Sequence, residues 1–365
     1  MPSGGPVIPH SRPTITADDI AAVSAVLQTG QIAQGEQVQR FEEAMASVTG
    51  RRGAVATNSG TSALHLALLA LGVGKGDEVL MPSYTCVALV NAVRYVGATP
   101  RLAEIDPRTY NLDPDDARRR LTAATRAVIV PHMFGLPADL APMTEWGIPI
   151  IEDCAQAFGA TYLGRQVGSF GTISICSFYA TKVFTTGEGG MLLSDSDTLL
   201  QQSRDLRDYD GRPSLELRYN YKMTDFQAAL GLSQLGRLSG LLARRQVLAS
   251  RYNQALQGLP VRLPEGDPDR THIFYRYVIG VHDARALAAR LQAQGIECKS
   301  PVGRPLHEYL GIGGFQHTDH AMRSALSLPL YPSLSDLEAH TVVQAAVRNL
   351  IREEDRSRSA LSSLS

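Results

Sequence analysis

Between residues 53 and 194, short apolar runs alternate with stretches whose apolar positions recur at helical spacing. The runs GAVAT (53–57), DEVLM (77–81), ATPRLAEI (98–105), RAVIVP (126–131), IPIIED (148–153), ISICSF (173–178) and GMLLS (190–194) are predicted strands. Helical patterns lie between most of them, as in TSALHLALLAL (61–71), ended by Gly72, and SYTCVALVNAVRYV (83–96), ended by Gly97. Such alternation predicts an α/β fold: a mainly parallel, seven-stranded sheet between helices. Ligands of such sheets gather at the carboxyl ends of the strands.

Beyond residue 195 the pattern changes. Met223, Phe226 and Leu230, then Leu235, Leu238 and Leu242, keep helical spacing within a region spanning 222–257. A strand over HIFYRYVIGV (272–281), a helix over 283–294, a short strand at GIECK (295–299) and a final helix over 335–350 follow. The expected organisation is a large domain of residues 1–240 and a smaller α+β domain of residues 241–352. The low-complexity tail, residues 353–365, is expected to be flexible.

Composition narrows the functional classes. Hydrophobic residues make up 44% of the chain, enough for a sizeable core. A net charge of −1 supplies no bulk attraction to nucleic acid or an anionic membrane, so neither is an expected partner. MPSGGPVIPHSRP at the N-terminus lacks the apolar region of a secretory signal, and the most apolar segments are too short to span a bilayer. Cys86, Cys154, Cys176 and Cys298 form no CxxC pair, so neither a metal site nor a disulfide framework is expected. A reducing cytoplasm fits this cysteine usage.

Three segments at strand ends carry candidate chemistry. In TNSGTSALHLAL (57–68) a strand passes through Gly60 into a helix. Exposed N–H groups at such a start attract a phosphate, although an ordinary cap by Ser59 or Thr61 explains the same residues. In IPIIEDCAQAFGA (148–160), Glu152 and Asp153 end an apolar strand, where a carboxylate needs a cationic partner or caps the next helix. In CSFYATKVFTTGEGGM (176–191), Lys182 is the single basic residue between a strand and a glycine-rich turn. A partly desolvated amine there is a usable nucleophile; a solvated loop lysine is the plainer alternative. Together, a phosphate site, an acid and an amine are the parts that hold pyridoxal phosphate, whose phosphate, ring nitrogen and aldehyde need them in turn.

With these motifs the chain resembles the DegT/DnrJ/StrS family of aminotransferases, pyridoxal-phosphate enzymes of fold type I that mostly aminate keto-sugars. The resemblance runs from SRPTITADDIAAV through GQIAQGEQVQRFEEAMA to ALSLPLYPSLSD, and its strongest motifs are NSGTSALHLAL, EDCAQAFGA, GSFGTISICSFYATK, TTGEGGM and YNYKMTDFQAALG. It implies Lys182 as the Schiff-base lysine, Asp153 as partner of the pyridine N–H and Gln156 at the ring's 3-oxygen. It also implies Thr61, Ser62 and Ser177 as phosphate ligands, beside Gly60. Asn220 would reach the phosphate in a neighbouring subunit's site, making a homodimer with shared sites. The implied reaction moves nitrogen from an amino acid, most often glutamate or glutamine, onto the cofactor as pyridoxamine phosphate, and then onto a keto-substrate such as a nucleotide-linked sugar.

Three positions depart from the family pattern. Cys86 stands where an aromatic residue usually stacks on the cofactor, KSPVGRPLH (299–307) lacks a frequent His-Tyr pair, and Gln31 replaces an aromatic. Lys299, Arg304 and His307 are candidates for substrate hydroxyls or phosphates, or else solvated surface charges; His10 and Arg12 are candidates for the pocket mouth. Two other readings keep the scaffold: an enzyme for a non-sugar ketone or a dehydration, and a non-enzymatic regulatory protein. The intact set of Lys182, Asp153 and Gln156 argues against the last.

Overall fold

A computed structural model describes residues 7–362, with side chains described through residue 352. All seven predicted strands form: β1 (Gly53–Thr57), β2 (Glu78–Pro82), β3 (Thr99–Ala103), β4 (Thr125–Pro131), β5 (Ile150–Asp153), β6 (Ile173–Ser177) and β7 (Gly190–Ser194). They build one sheet in the order β1-β7-β6-β5-β4-β2-β3. All neighbours are parallel except at β7, which runs antiparallel to both β1 and β6. The exception has a simple cause. The chain returns from β6 to β7 through the loop that carries Lys182, which forms no helix to cross the sheet, as a parallel connection usually does.

Side-chain alternation divides the sheet's two faces. Val55, Ile151, Ile173, Ile175 and Leu192 point to one side and pack on the helices Gly60–Ala70 and Ala88–Tyr95. Ala54, Ala56, Cys176, Met191 and Leu193 point to the other, against the helices Glu36–Thr49 and Asp225–Gly236. Phe41, fully buried in the second layer, alone contributes roughly 2–3 kcal/mol of burial.

The C-terminal part departs more from its predicted elements. The strand expected over 272–281 is confined to β8 (Tyr277–Gly280). Just before it, Ile273 and Arg276 donate their N–H groups to Gly135 and Phe134 in the loop after β4, so those residues cannot join a second ladder. GIECK makes only isolated bridges, Ile8 to Ile296 and Lys299 to Ser327. β8 pairs antiparallel with β9 (Ala325–Leu328), which the sequence pattern does not predict. The region 222–257 is broken at Arg237 into Asp225–Gly236 and Leu238–Leu256: Gly236 is a poor helix former, and the Arg237 guanidinium is tied to Asp19. The helix expected over 83–96 starts only at Ala88, leaving 83–87 as a loop.

A separate core joins Leu248, Tyr252, Tyr277, Leu287, Leu326 and Val342 with Ile8 from the N-terminal segment. The final helix is Asp336–Ser362; the tail expected to be flexible, 353–365, falls outside the residues whose side chains are described. Among the described residues, no helix is long and apolar enough to cross a membrane.

Candidate active site

At the carboxyl end of β5 two adjacent acids face opposite sides of the sheet and meet different surroundings. Glu152 is fully buried and saturated. Its oxygens accept N–H groups from Gly168, Phe170 and Gly171, and Oε1 lies 3.0 Å from His132 Nε2. His132 Nδ1 accepts the Ala138 N–H, which leaves the proton on Nε2 for Glu152. Burial opposes ionisation of Glu152, yet these donors hold its carboxyl below the usual range. His132, Glu152 and Cys154 lie close enough together to suggest a metal site, but the histidine nitrogens and the carboxylate oxygens are already engaged. The counter-charge expected at this strand end is therefore not Glu152.

Asp153 is buried as well but under-satisfied. Among the described residues, only the Ala155 N–H reaches its carboxylate, at 2.9 Å on Oδ1. Burial raises its pKa against the pull of that N–H and of the Lys182 charge. Such a carboxylate calls for a cationic or N–H partner from the cavity in front of it.

That cavity, of about 250 Å³, is lined by Gly60, Thr61, Cys86, Asp153, Gln156, Ser177 and Lys182 among others. The topology brings them together: β1 leads into the Gly60 helix, β5 ends at Asp153, and β6 ends at Ser177 before the Lys182 loop. Ser59 caps the helix, its Oγ accepting the Ser62 N–H at 3.1 Å, so the ordinary-cap reading holds, while Ser59, Gly60 and Thr61 also line this cavity. Close backbone approach is built in. A Cβ on Gly60 would stand 2.7 Å from Ser177 Cβ, and one on Gly190 would collide with the Ser59 carbonyl. The Gln156 amide is oriented by the Phe134 N–H, which it accepts at 3.1 Å.

The remaining candidates are scattered. Ser62 bonds Asn58 Oδ1 at 2.7 Å and lines an adjoining open cavity of about 680 Å³, with His65, Tyr95, Tyr219 and Tyr221. Asn220 is exposed; its carbonyl accepts from Asn58 Nδ2, which places it next to the same loop. His10 and Lys299 line a third cavity of about 140 Å³ with Thr181 and Tyr275. Arg12 lies over the Tyr331 ring, Arg304 pairs with Glu308, and Gln31 sits in a surface recess with Asp225. His307 is buried between Ser83, 2.7 Å away, and Phe315, outside these cavities.

Tyr275 and Arg276 escape sequence reasoning because FYRYV reads as strand. Lys182 Nζ lies 5.5 Å from the Tyr275 ring centroid. Burial would raise that phenol, but the Lys182 and Arg276 charges bring it down to about 8.

Comparison with known proteins accords with this geometry. The sequence profile of the DegT/DnrJ/EryC1/StrS aminotransferase family matches residues 13–347. The chain belongs to that family. It is 35% identical to the GDP-perosamine synthase of Caulobacter vibrioides over 95% of this chain and 99% of the relative. It is 36% identical to the spore coat polysaccharide biosynthesis protein SpsC of Bacillus subtilis, over 95% and 98%. The aminotransferase TlmJ from Streptoalloteichus hindustanus superposes with a TM-score of 0.91 at 30% identity, covering 95% of this chain and all of that one. The chain is a pyridoxal-phosphate-dependent aminotransferase of fold type I.

Proposed function

We propose that the enzyme moves nitrogen from an amino acid to a keto-sugar, of the nucleotide-linked kind, in amino-sugar biosynthesis. The observation that carries this reading is the single cavity in which Asp153, Gln156, Ser177 and Lys182 meet beside Gly60. An under-satisfied buried carboxylate, an amine and a backbone cradle fit the ring nitrogen, aldehyde and phosphate of pyridoxal phosphate. The chemistry the bound cofactor supplies is an electron sink for the pair left when a substrate C–H bond breaks. Asp153 would hold the ring N–H and keep that sink charged. Thr61, Ser62 and Ser177 would anchor the phosphate, and Gln156 would orient the ring through its 3-oxygen. Lys182 Nζ would carry the proton between the substrate carbon and the cofactor's aldehyde carbon in each half-reaction. The full-length likeness to a GDP-perosamine synthase supports the nucleotide-linked sugar.

The reading includes a homodimer in the cytoplasm. Asn220 lies on an exposed excursion with Leu215 and Leu217, side chains that a second subunit would cover while Asn220 reaches its phosphate site.

Borohydride treatment of the purified protein with pyridoxal phosphate should leave a reduced adduct on Lys182, located by peptide mass spectrometry. Glutamate should bleach the cofactor's visible absorbance, and a nucleotide-linked keto-sugar should restore it. Restoration by simple keto acids but by no keto-sugar would sink the sugar assignment.

A further inference from the structure

The cavity of about 140 Å³ beside Thr181 holds an imbalance of charge that the fold does not resolve. Its charged walls are Arg276, Lys299 and Glu297. Glu297 is already engaged: Oε1 lies 3.2 Å from Lys299 Nζ, and Oε2 accepts the His10 N–H at 3.0 Å. His10 adds no charge. Its Nε2 lies 2.8 Å from Ser327 Oγ, and burial, together with the nearby Arg276 and Lys299, drives its pKa down to about 3.

Arg276 is left over. Half-buried, it makes no ion pair or side-chain hydrogen bond among the described residues, and its guanidinium lies by the Tyr275 ring, 5.5 Å from Cζ to centroid. The backbone before β8 fixes it there, since the Arg276 N–H is bonded to Phe134. A guanidinium lining a cavity without a carboxylate partner has its forked donors free for a planar anion. Lys182 Nζ is the same 5.5 Å from the Tyr275 centroid, so the two cations lie no more than twice that distance apart. An amino acid whose nitrogen reacts at Lys182 can thus present a carboxylate to Arg276.

We propose that Arg276, with Lys299 at its side, forms a carboxylate-binding subsite that seats the amino-acid donor. The proposal rests on the aminotransferase reading for its donor, but the subsite can be probed without turnover. Glutarate, which carries glutamate's two carboxylates and no amine, should bind the purified wild-type protein in calorimetry. Arg276→Gln should weaken both glutarate binding and the glutamate concentration dependence of cofactor bleaching about tenfold or more, with the limiting bleaching rate much less affected. Arg276→Lys should recover part of the loss. Circular dichroism and the Lys182 adduct should match wild type in both variants.

Binding and half-saturation within about twofold of wild type in Arg276→Gln would overturn the proposal. So would a defect confined to the step with the keto-sugar, which would assign Arg276 to an anionic group of that substrate. Absence of a Lys182 adduct in wild type would instead defeat the functional reading, leaving the glutarate titration to judge Arg276 by itself.

Discussion

Glu152 and Asp153 are consecutive in sequence and both buried, yet the two faces of β5 treat them in opposite ways. On one face, three backbone N–H groups and His132 surround Glu152 and leave it nothing to offer. On the other, Asp153 receives one N–H and looks into a cavity that also holds Lys182. A buried charge with every lone pair engaged holds structure together; one left short of donors awaits a ligand. The difference lies in partners rather than in residue type or depth.

Substitutions at these two positions should separate activity from stability. Asp153→Ala should lower turnover about a hundredfold or more, because the ring nitrogen loses its counter-charge. Its cofactor-free thermal midpoint should stay at or above wild type, since a poorly solvated carboxylate is removed. A large fall in that midpoint would make Asp153 structural. Glu152→Ala should do the reverse and cost about 3 kcal/mol in denaturant unfolding, as its four donors lose their acceptor. Near-native stability of that variant would dissolve the contrast.

The two acids should also respond oppositely to pH in the cofactor-free protein. Glu152 titrates below its ordinary 4.5 when folded, so the unfolded chain binds more protons and the stability Glu152 adds is lost as pH falls beneath that value. Asp153 titrates above its ordinary 3.8 when folded, so its contribution is favourable in acid and is lost as pH rises through the raised value. Unfolding free energies of Glu152→Gln and Asp153→Asn against wild type, from pH 3 to 7, should diverge with opposite slopes. Slopes of one sign would show that the faces do not differ electrostatically.

The smallest expected effect is at Cys86, exposed in the wall of the cofactor cavity. Cys86→Phe should tighten pyridoxal phosphate binding by about twofold to fivefold, if an aromatic ring can stack there. Weaker binding by fluorescence titration would mean that the wall has closed around the smaller side chain.

Much of this was legible in the residues. The seven strands of the large sheet showed as apolar runs because each is covered on both faces, and burial on both faces leaves a continuous signal. The residues that meet in the cavity of Lys182 were legible because they lie at or just after strand ends that local pattern marks. β8 and β9 were not, since their limits depend on contacts with distant chain: the Gly135 loop takes the N–H groups before β8, and β9 exists only as its partner. Tyr275 and Arg276 were hidden for the same reason. Nothing local distinguishes an arginine that lines a cavity from one in water.

The sequence by itself determined the α/β class, the family, and the candidate lysine, acid and phosphate loop, because these rest on periodicity and on motifs read in order along the chain. It also placed Glu152 and Asp153 together at one strand end. Only the tertiary structure decided which of the two faces the cavity and which is consumed by the 168–171 loop. Only it decided that Arg276 and Lys182 both lie beside the Tyr275 ring. Both outcomes depend on which donors and charges remote segments bring to a side chain, and those are set when the chain packs.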